Sequence, residues 1–251
     1  MDFELSVDED LPCGLGADLV GTFDTGNGET TVHALEGGGY QYSIKDIHGR
    51  ECCLLQSGKA FAKSRCRLSG TEAMRSFGLN NALMYIYAFG GSFHSALLIH
   101  ASCVGNGGRA YPFIAKSGTG KSTHSGLWIK NIAGTELIND DNPIVRLIDG
   151  RPIVYGTPWS GKTPCYRNVA MPLGAITRIA RAGENRMEKL PPTLAFASVL
   201  PSCSSMKWDG DVFGNICDAV AAIVESTPVY TLHCLPNDEA ARLCYETIAK
   251  R

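Results

Sequence analysis

Apolar and polar residues alternate with a strand-like period over residues 17–68. The runs DLVGTFDT, TTVHALE, YQYSIKDI and ECCLLQ are separated by Gly26-Asn27-Gly28, Gly37-Gly38-Gly39 and His48-Gly49. Short alternating runs bounded by glycine-rich turns predict a β-meander. After Gly70 the period lengthens: Met74, Phe77, Leu79, Leu83, Ile86, Tyr87 and Phe89 suit a helix. A boundary is therefore expected near residue 70, between a small β-rich region (1–70) and a larger region (71–251).

From Ala96 the pattern reads strand, turn, strand: ALLIHASCV, Asn106-Gly107-Gly108, AYPFIA. A glycine-rich stretch and the helix KSTHSGLWIKNI follow. Then come ELIN, the pair Asp140-Asp141, the strand PIVRLI, the hairpin turn Asp149-Gly150 and PIVYG. A strand is expected at GAITRIARA, helices at 191–200 and 212–226, a strand at VYTLHCL and a closing helix from Asp238. Strands interleaved with helices indicate an α/β fold, and the hairpins argue against a purely parallel sheet.

Composition narrows the classes. The chain has 251 residues, 44% hydrophobic and 19% charged, so it can bury a sizeable core. A net charge of −2 supplies no field that would draw it to nucleic acid or an anionic membrane. The longest apolar stretch, Ala82 to Cys103, is interrupted by Gly90, Gly91, Ser92 and His94, short of the roughly 18–20 residues a span needs. The acidic start lacks the basic and apolar regions of a signal peptide, so a cytoplasmic location is expected. Ten cysteines include no C-x-x-C pair. That spacing argues against a zinc cage, and most are expected to be small buried apolar residues.

The chemistry begins at residues 115–123, AKSGTGKST, which fit G-x-x-x-x-G-K-[ST] except for Ala115 at the first glycine. Backbone N–H groups in such a turn, with a helix N-terminus behind them, receive phosphate when side chains are small. Ser117, Gly118, Thr119, Gly120, Lys121, Ser122 and Thr123 form the candidate nucleotide set. Lys121 supplies a point charge for the β- and γ-phosphates, and the Ser122 hydroxyl suits Mg²⁺. Asp140-Asp141 begins nineteen residues after Lys121, behind the strand ELIN. Two adjacent carboxylates permit two jobs, metal ligand and base. His100 interrupts an apolar run on a strand leading to this loop, where it could hold one of the aspartates. In YGTPWSGKTPCYRN, Lys162 and Arg167 are cations that could stabilise a phosphoryl-transfer transition state.

The order His100-Ala101-Ser102, two strands, SGTGKST, then LINDDN resembles the kinase domain of HPr kinase/phosphorylase. The loop is also similar to that of phosphoenolpyruvate carboxykinase. The resemblance covers roughly residues 96–165. It implies a P-loop, mixed-sheet kinase domain; the small β-rich N-terminal part, read from the alternation over residues 17–68, lies outside it. It also implies ATP- and Mg²⁺-dependent phosphorylation of a serine or other alcohol hydroxyl on a protein, peptide or small molecule. By carry-over, Lys121 holds the β/γ-phosphates, Ser122 and Asp141 bind the metal, and Asp140 is the base, with His100 beside it. A homo-oligomer is implied as well. The E-x-R-G-x-G signature of HPr kinases is missing, which leaves HPr as acceptor, and reverse phosphorolysis, open. In its place, YGTPWSGK resembles the G-x-P-W-x-G-K segment of shorter HPr-kinase-like proteins, some of which accompany peptide-modification systems. The alternative reading is a nucleotide-binding module that regulates or scaffolds without chemistry.

Overall fold

The computed structural model describes residues 3–14, 18–161 and 163–250, and they form two compact units. The first comprises Met1–His94 and Met206–Val212. Its strands are β1 (Glu4–Val7), β2 (Asp18–Asp24), β3 (Gly28–Ala34), β4 (Tyr40–Asp46), β5 (Glu51–Ser57) and β6 (Lys63–Leu68). They form one sheet of order β1-β6-β5-β4-β3-β2. The expected meander runs antiparallel from β2 to β6; β1, not anticipated, adds in parallel to β6.

Helix α1 (Glu72–Tyr85) begins at Thr71, whose hydroxyl accepts from the Met74 amide. It continues through a π turn, Ile86–Gly90, and a 3₁₀ turn, Gly91–His94. The unit boundary therefore lies at His94/Ser95 instead of near residue 70. The physical reason is packing: α1 lies on β4, β5 and β6, and Ile86 and Phe89 are buried with Tyr42 and Phe61. The segment 206–212 joins the same unit. Met206 is fully buried and accepts from the Tyr42 hydroxyl, Trp208 stacks on Phe23, and Tyr40 donates to Asp209.

The second unit, Ser95–Ser205 and Phe213–Arg251, holds two sheets. Its strands are β7 (Ala96–Leu98), β8 (Ala101–Asn106), β9 (Arg109–Ile114), β10 (Glu136–Asn139), β11 (Ile144–Ile148), β12 (Arg151–Tyr155), β13 (Ala170–Pro172), β14 (Ile176–Arg181), β15 (Arg186–Lys189) and β16 (Val229–Cys234). The larger sheet has order β10-β8-β9-β14-β16-β15, with β9, β14 and β16 parallel and the remaining pairs antiparallel. The smaller, antiparallel sheet has order β13-β12-β11-β7. Helix α2 (Lys121–Asn131) packs beside α5 (Asp238–Ile248), and their faces bury Trp128 and Cys244 with Tyr111, Phe113 and Leu232. The chain also contains α3 (Pro192–Val199) and α4 (Gly210–Ser226), close to their expected spans. Eight of the ten cysteines are buried and all are free thiols, as small apolar residues would be.

One expected strand is two. ALLIHASCV breaks after Leu98: β7 pairs with β11 in one sheet, and β8 pairs with β9 and β10 in the other. Between them, the amide of Ile99 donates to Pro143 O and that of His100 to Ser202 O. His100 therefore sits at a break between sheets and not within a strand. Among the described residues, no helix is long and apolar enough to cross a membrane.

Candidate functional site

Residues 115–120 link the end of β9 to the first residue of α2. Gly118 (φ 73°) and Gly120 (φ 124°) occupy backbone conformations that side-chain-bearing residues rarely adopt. A Cβ at either would meet no atom within 4 Å, so glycine is required there by conformation and not by space. Among the described residues, positive φ outside glycine occurs at Phe61, Ser95 and Asp149, so Ala115 keeps ordinary backbone angles. Its methyl packs at the rim of the Trp128 core, and its carbonyl accepts from Lys121 Nζ at 3.2 Å. Ser117, Ser122 and Thr123 are exposed; Thr119 is half-buried. The opening turn of α2 thus presents hydroxyls and backbone amides at the positive end of its dipole.

Lys121 is only 8% exposed. Its Nζ donates to His100 Nε2 at 2.9 Å. Burial lowers the Lys121 pKa, against the raising influence of Asp141 and Asp140. Burial also lowers that of His100, assisted by the Lys121 charge and opposed by Asp141. A neutral imidazole is the form that can accept from an ammonium. His100 Nε2 also lies 3.5 Å from Asp141 Oδ1. Because Nε2 accepts from Lys121, it holds no proton for Asp141, and the approach is a polar contact without an ion pair.

The two aspartates differ sharply. Asp140 is 6% exposed, and its Oδ1 accepts from Ser102 Oγ at 2.6 Å. Ser102 Oγ is also 2.6 Å from Ser125 Oγ of α2. An ionised carboxylate only accepts, so the proton order is Ser125 to Ser102 to Asp140. The Asp141 side chain is 37% exposed; its Oδ2 accepts from Asn142 Nδ2 at 2.8 Å. His100 was expected beside Asp140; it lies instead against Asp141, because the sheet break turns it toward that carboxylate.

Asn139, fully buried at the end of β10, organises the turn that carries both acids. Its Oδ1 accepts from the amides of Asp141 and Asn142 at 2.9 and 2.8 Å. Its Nδ2 donates to Thr157 Oγ1 at 3.0 Å and Trp159 O at 3.2 Å. The loop from Gly156 is thereby fastened over the acidic turn, and a Cβ on Gly161 would lie 3.2 Å from Asp140 O. Lys162, expected to be catalytic, lies outside the described residues. Arg167 is committed elsewhere: Nη1 contacts Glu136 Oε2 at 2.8 Å and donates to Leu137 O at 3.0 Å.

The structure thus draws Lys121, His100 and Asp141 into one chain of contacts, and ties Asp140 through Ser102 to α2. The sequence assigns no role to Ser102 or Asn139, which enter only as members of the motif runs, or to Ser125. Their small polar side chains carry no signal until the strands that bear them are adjacent. The set offers oxygen donors, a hydroxyl at Ser122 and carboxylates at Asp140 and Asp141. That chemistry fits Mg²⁺, which takes one or two protein carboxylates and fills its sphere with phosphate and water. Among the described residues, no three His, Cys, Asp or Glu side chains are grouped to hold a metal by themselves.

No protein-family model matches the chain. No curated protein matches it in sequence. Among solved structures, the Hpr(Ser) kinase/phosphatase from Coxiella burnetii is similar, with a TM-score of 0.33 and 12% identity, over 60% of this chain and 91% of that one.

Proposed function

We propose that the chain is a phosphotransferase that moves the γ-phosphoryl group of Mg-ATP to a serine or other alcohol hydroxyl. The acceptor is carried by a protein, a peptide or a small molecule. The observation that supports this reading most directly is the chain Lys121–His100–Asp141 beside a glycine-rich loop at a helix N-terminus. A phosphate-binding lysine and an exposed carboxylate within one contact network are what in-line transfer to a hydroxyl requires.

The loop amides and the α2 N-terminus receive the phosphates, and Lys121 leaves His100 to neutralise their charge. When bound, Mg²⁺ would be held by Ser122 and one carboxylate and would polarise the phosphoryl oxygens. Exposure argues for exchanging the roles expected of the two acids. Asp141 reaches solvent and suits the incoming hydroxyl as base. Asp140, shielded and fixed by Ser102, suits the metal side. Once Lys121 moves, His100 Nε2 is released; in the tautomer that carries its proton on Nε2, the imidazole orients Asp141 by an N–H hydrogen bond to the carboxylate, which keeps its charge.

The test is transfer of label from γ-labelled ATP to seryl peptides and small alcohols in Mg²⁺. Asp141→Asn should abolish transfer while keeping Mg-ATP binding, and Asp140→Asn should lose Mg-dependent binding. Parent protein that binds Mg-ATP yet labels no acceptor would favour the non-catalytic module.

A further inference from the structure

The glycine-rich loop is held from outside by a residue that no motif includes. Arg181 is the last residue of β14, which runs parallel to β9. Arg178 stands opposite Ile114, the last residue of β9, so Arg181, three positions on, is level with the loop. Its guanidinium spans two successive carbonyls: Nε donates to Thr119 O at 3.0 Å, and Nη2 makes a shorter bond to Gly118 O. Among the described residues, Arg181 is the side chain outside the loop and α2 that hydrogen-bonds to the 116–120 backbone.

The fork has a directional consequence. A planar peptide points its carbonyl and its N–H in opposite directions. Fixing the carbonyls of Gly118 and Thr119 therefore fixes the N–H groups of Thr119 and Gly120 on the other side. The Thr119 amide is already used in the turn, donating to Lys116 O at 3.2 Å. The Gly120 amide, beside Lys121, is the one that the fork aims. A permanent positive charge on the carbonyl side also polarises both peptides, making their N–H ends better partners for an anion.

The loop has little else to hold it. Gly118 and Gly120 have no neighbour within 4 Å of a Cβ position, and glycine-rich backbone is the most costly to order. A loop left to sample many conformations would have to be ordered when phosphate arrives, which weakens binding.

We propose that Arg181 is a positioning residue that holds the glycine-rich loop in its phosphate-receiving conformation before the ligand arrives. This rests on the nucleotide reading of the site. The ligand class on which it acts is the polyphosphate moiety, independent of the base and of the acceptor.

The experiment uses the full chain as parent, Arg181→Gln and Arg181→Lys. Calorimetric titration with Mg-ATP and with inorganic tripolyphosphate gives affinity, and amide exchange gives loop order. Arg181→Gln should weaken both ligands about ten-fold and speed exchange of the Thr119 amide, which is bonded to Lys116 O, with exchange in β8, β9 and α5 unchanged. Arg181→Lys, one donor group in place of a fork, should fall between the two. Equal affinities in parent and Arg181→Gln, or unchanged exchange at Thr119, would overturn the inference and leave the nucleotide reading standing. If Arg181→Gln loosens the whole unit, equal binding by Arg181→Lys and parent overturns it instead. A parent that takes up neither ligand overturns both.

Discussion

Replacing Ser102 by alanine removes one buried hydroxyl and tests the network that fixes Asp140. Ser102 is fully buried, and Asp140 is 6% exposed. Two short contacts are lost, each at 2.6 Å. The bond to the carboxylate is charge-assisted and contributes about 1.5–3 kcal/mol. Ser125, itself buried, loses its partner at a cost of about 1 kcal/mol. Water does not readily reach either group, so Ser102→Ala should cost about 2–4 kcal/mol of stability in total. The Ser102→Ala/Ser125→Ala double variant should cost less than the sum of the single changes, by about 1 kcal/mol. Adding Asp140→Asn to Ser102→Ala should recover part of the loss, because a neutral amide is cheaper to leave unpaired. Urea unfolding followed by tryptophan fluorescence reads all of these. A loss below about 0.5 kcal/mol for Ser102→Ala, or strict additivity in the cycle, would refute the network as drawn.

Three further outcomes are expected. His124 is buried, accepts from Trp128 Nε1 at 3.1 Å, and is pushed down to about 4 by burial. The unfolded chain takes up this proton first, so stability from this group is intact above about pH 6.5 and is lost toward pH 4, by about 3 kcal/mol. His124→Gln should flatten that acid limb, and an NMR midpoint for His124 near 6.5 would contradict it. Gly161→Val places new atoms where a Cβ already approaches Asp140 O and Asp141 Cβ at 3.2 and 3.3 Å. Mg-ATP affinity or transfer should drop at least about ten-fold through displaced carboxylates, with the melting temperature little changed; unaltered affinity and transfer would show that the loop does not set the acids. Chelation of Mg²⁺ should weaken ATP binding in the parent and change it little in Asp140→Asn; an equal response in both would remove Asp140 from the metal side.

Much of the architecture was legible because hydrophobic period reports local structure directly. The meander of β2 to β5, helix α2 behind its loop and the β11–β12 hairpin all carry period and turn chemistry in a few adjacent residues. What was not legible depends on pairing. β7 and β8 read as one apolar run because both halves are buried, and only their different partners separate them. The helix after Gly70 looked like the start of a new domain because its period changes there, yet its apolar side is completed by the preceding sheet. In the site, Lys121, His100 and the two acids stood out by type and order. Which acid meets His100 was decided by the sheet break at Ile99–His100. Arg181 lies far along the chain from the loop it holds, and parallel pairing of β9 with β14 makes them neighbours. Ser102, Ser125 and Asn139 are ordinary residue types whose importance comes from what is placed opposite them.

The central claim is that Lys121 and the acidic pair serve one metal-bound polyphosphate. It is tested most directly by equilibrium titration of the parent and of Lys121→Met with ATP, with and without Mg²⁺. One site per chain is predicted, tighter with Mg²⁺, and weakened at least about a hundred-fold in Lys121→Met, whose folded state persists. Binding that is absent in the parent, or that is indifferent to Lys121→Met, would contradict it.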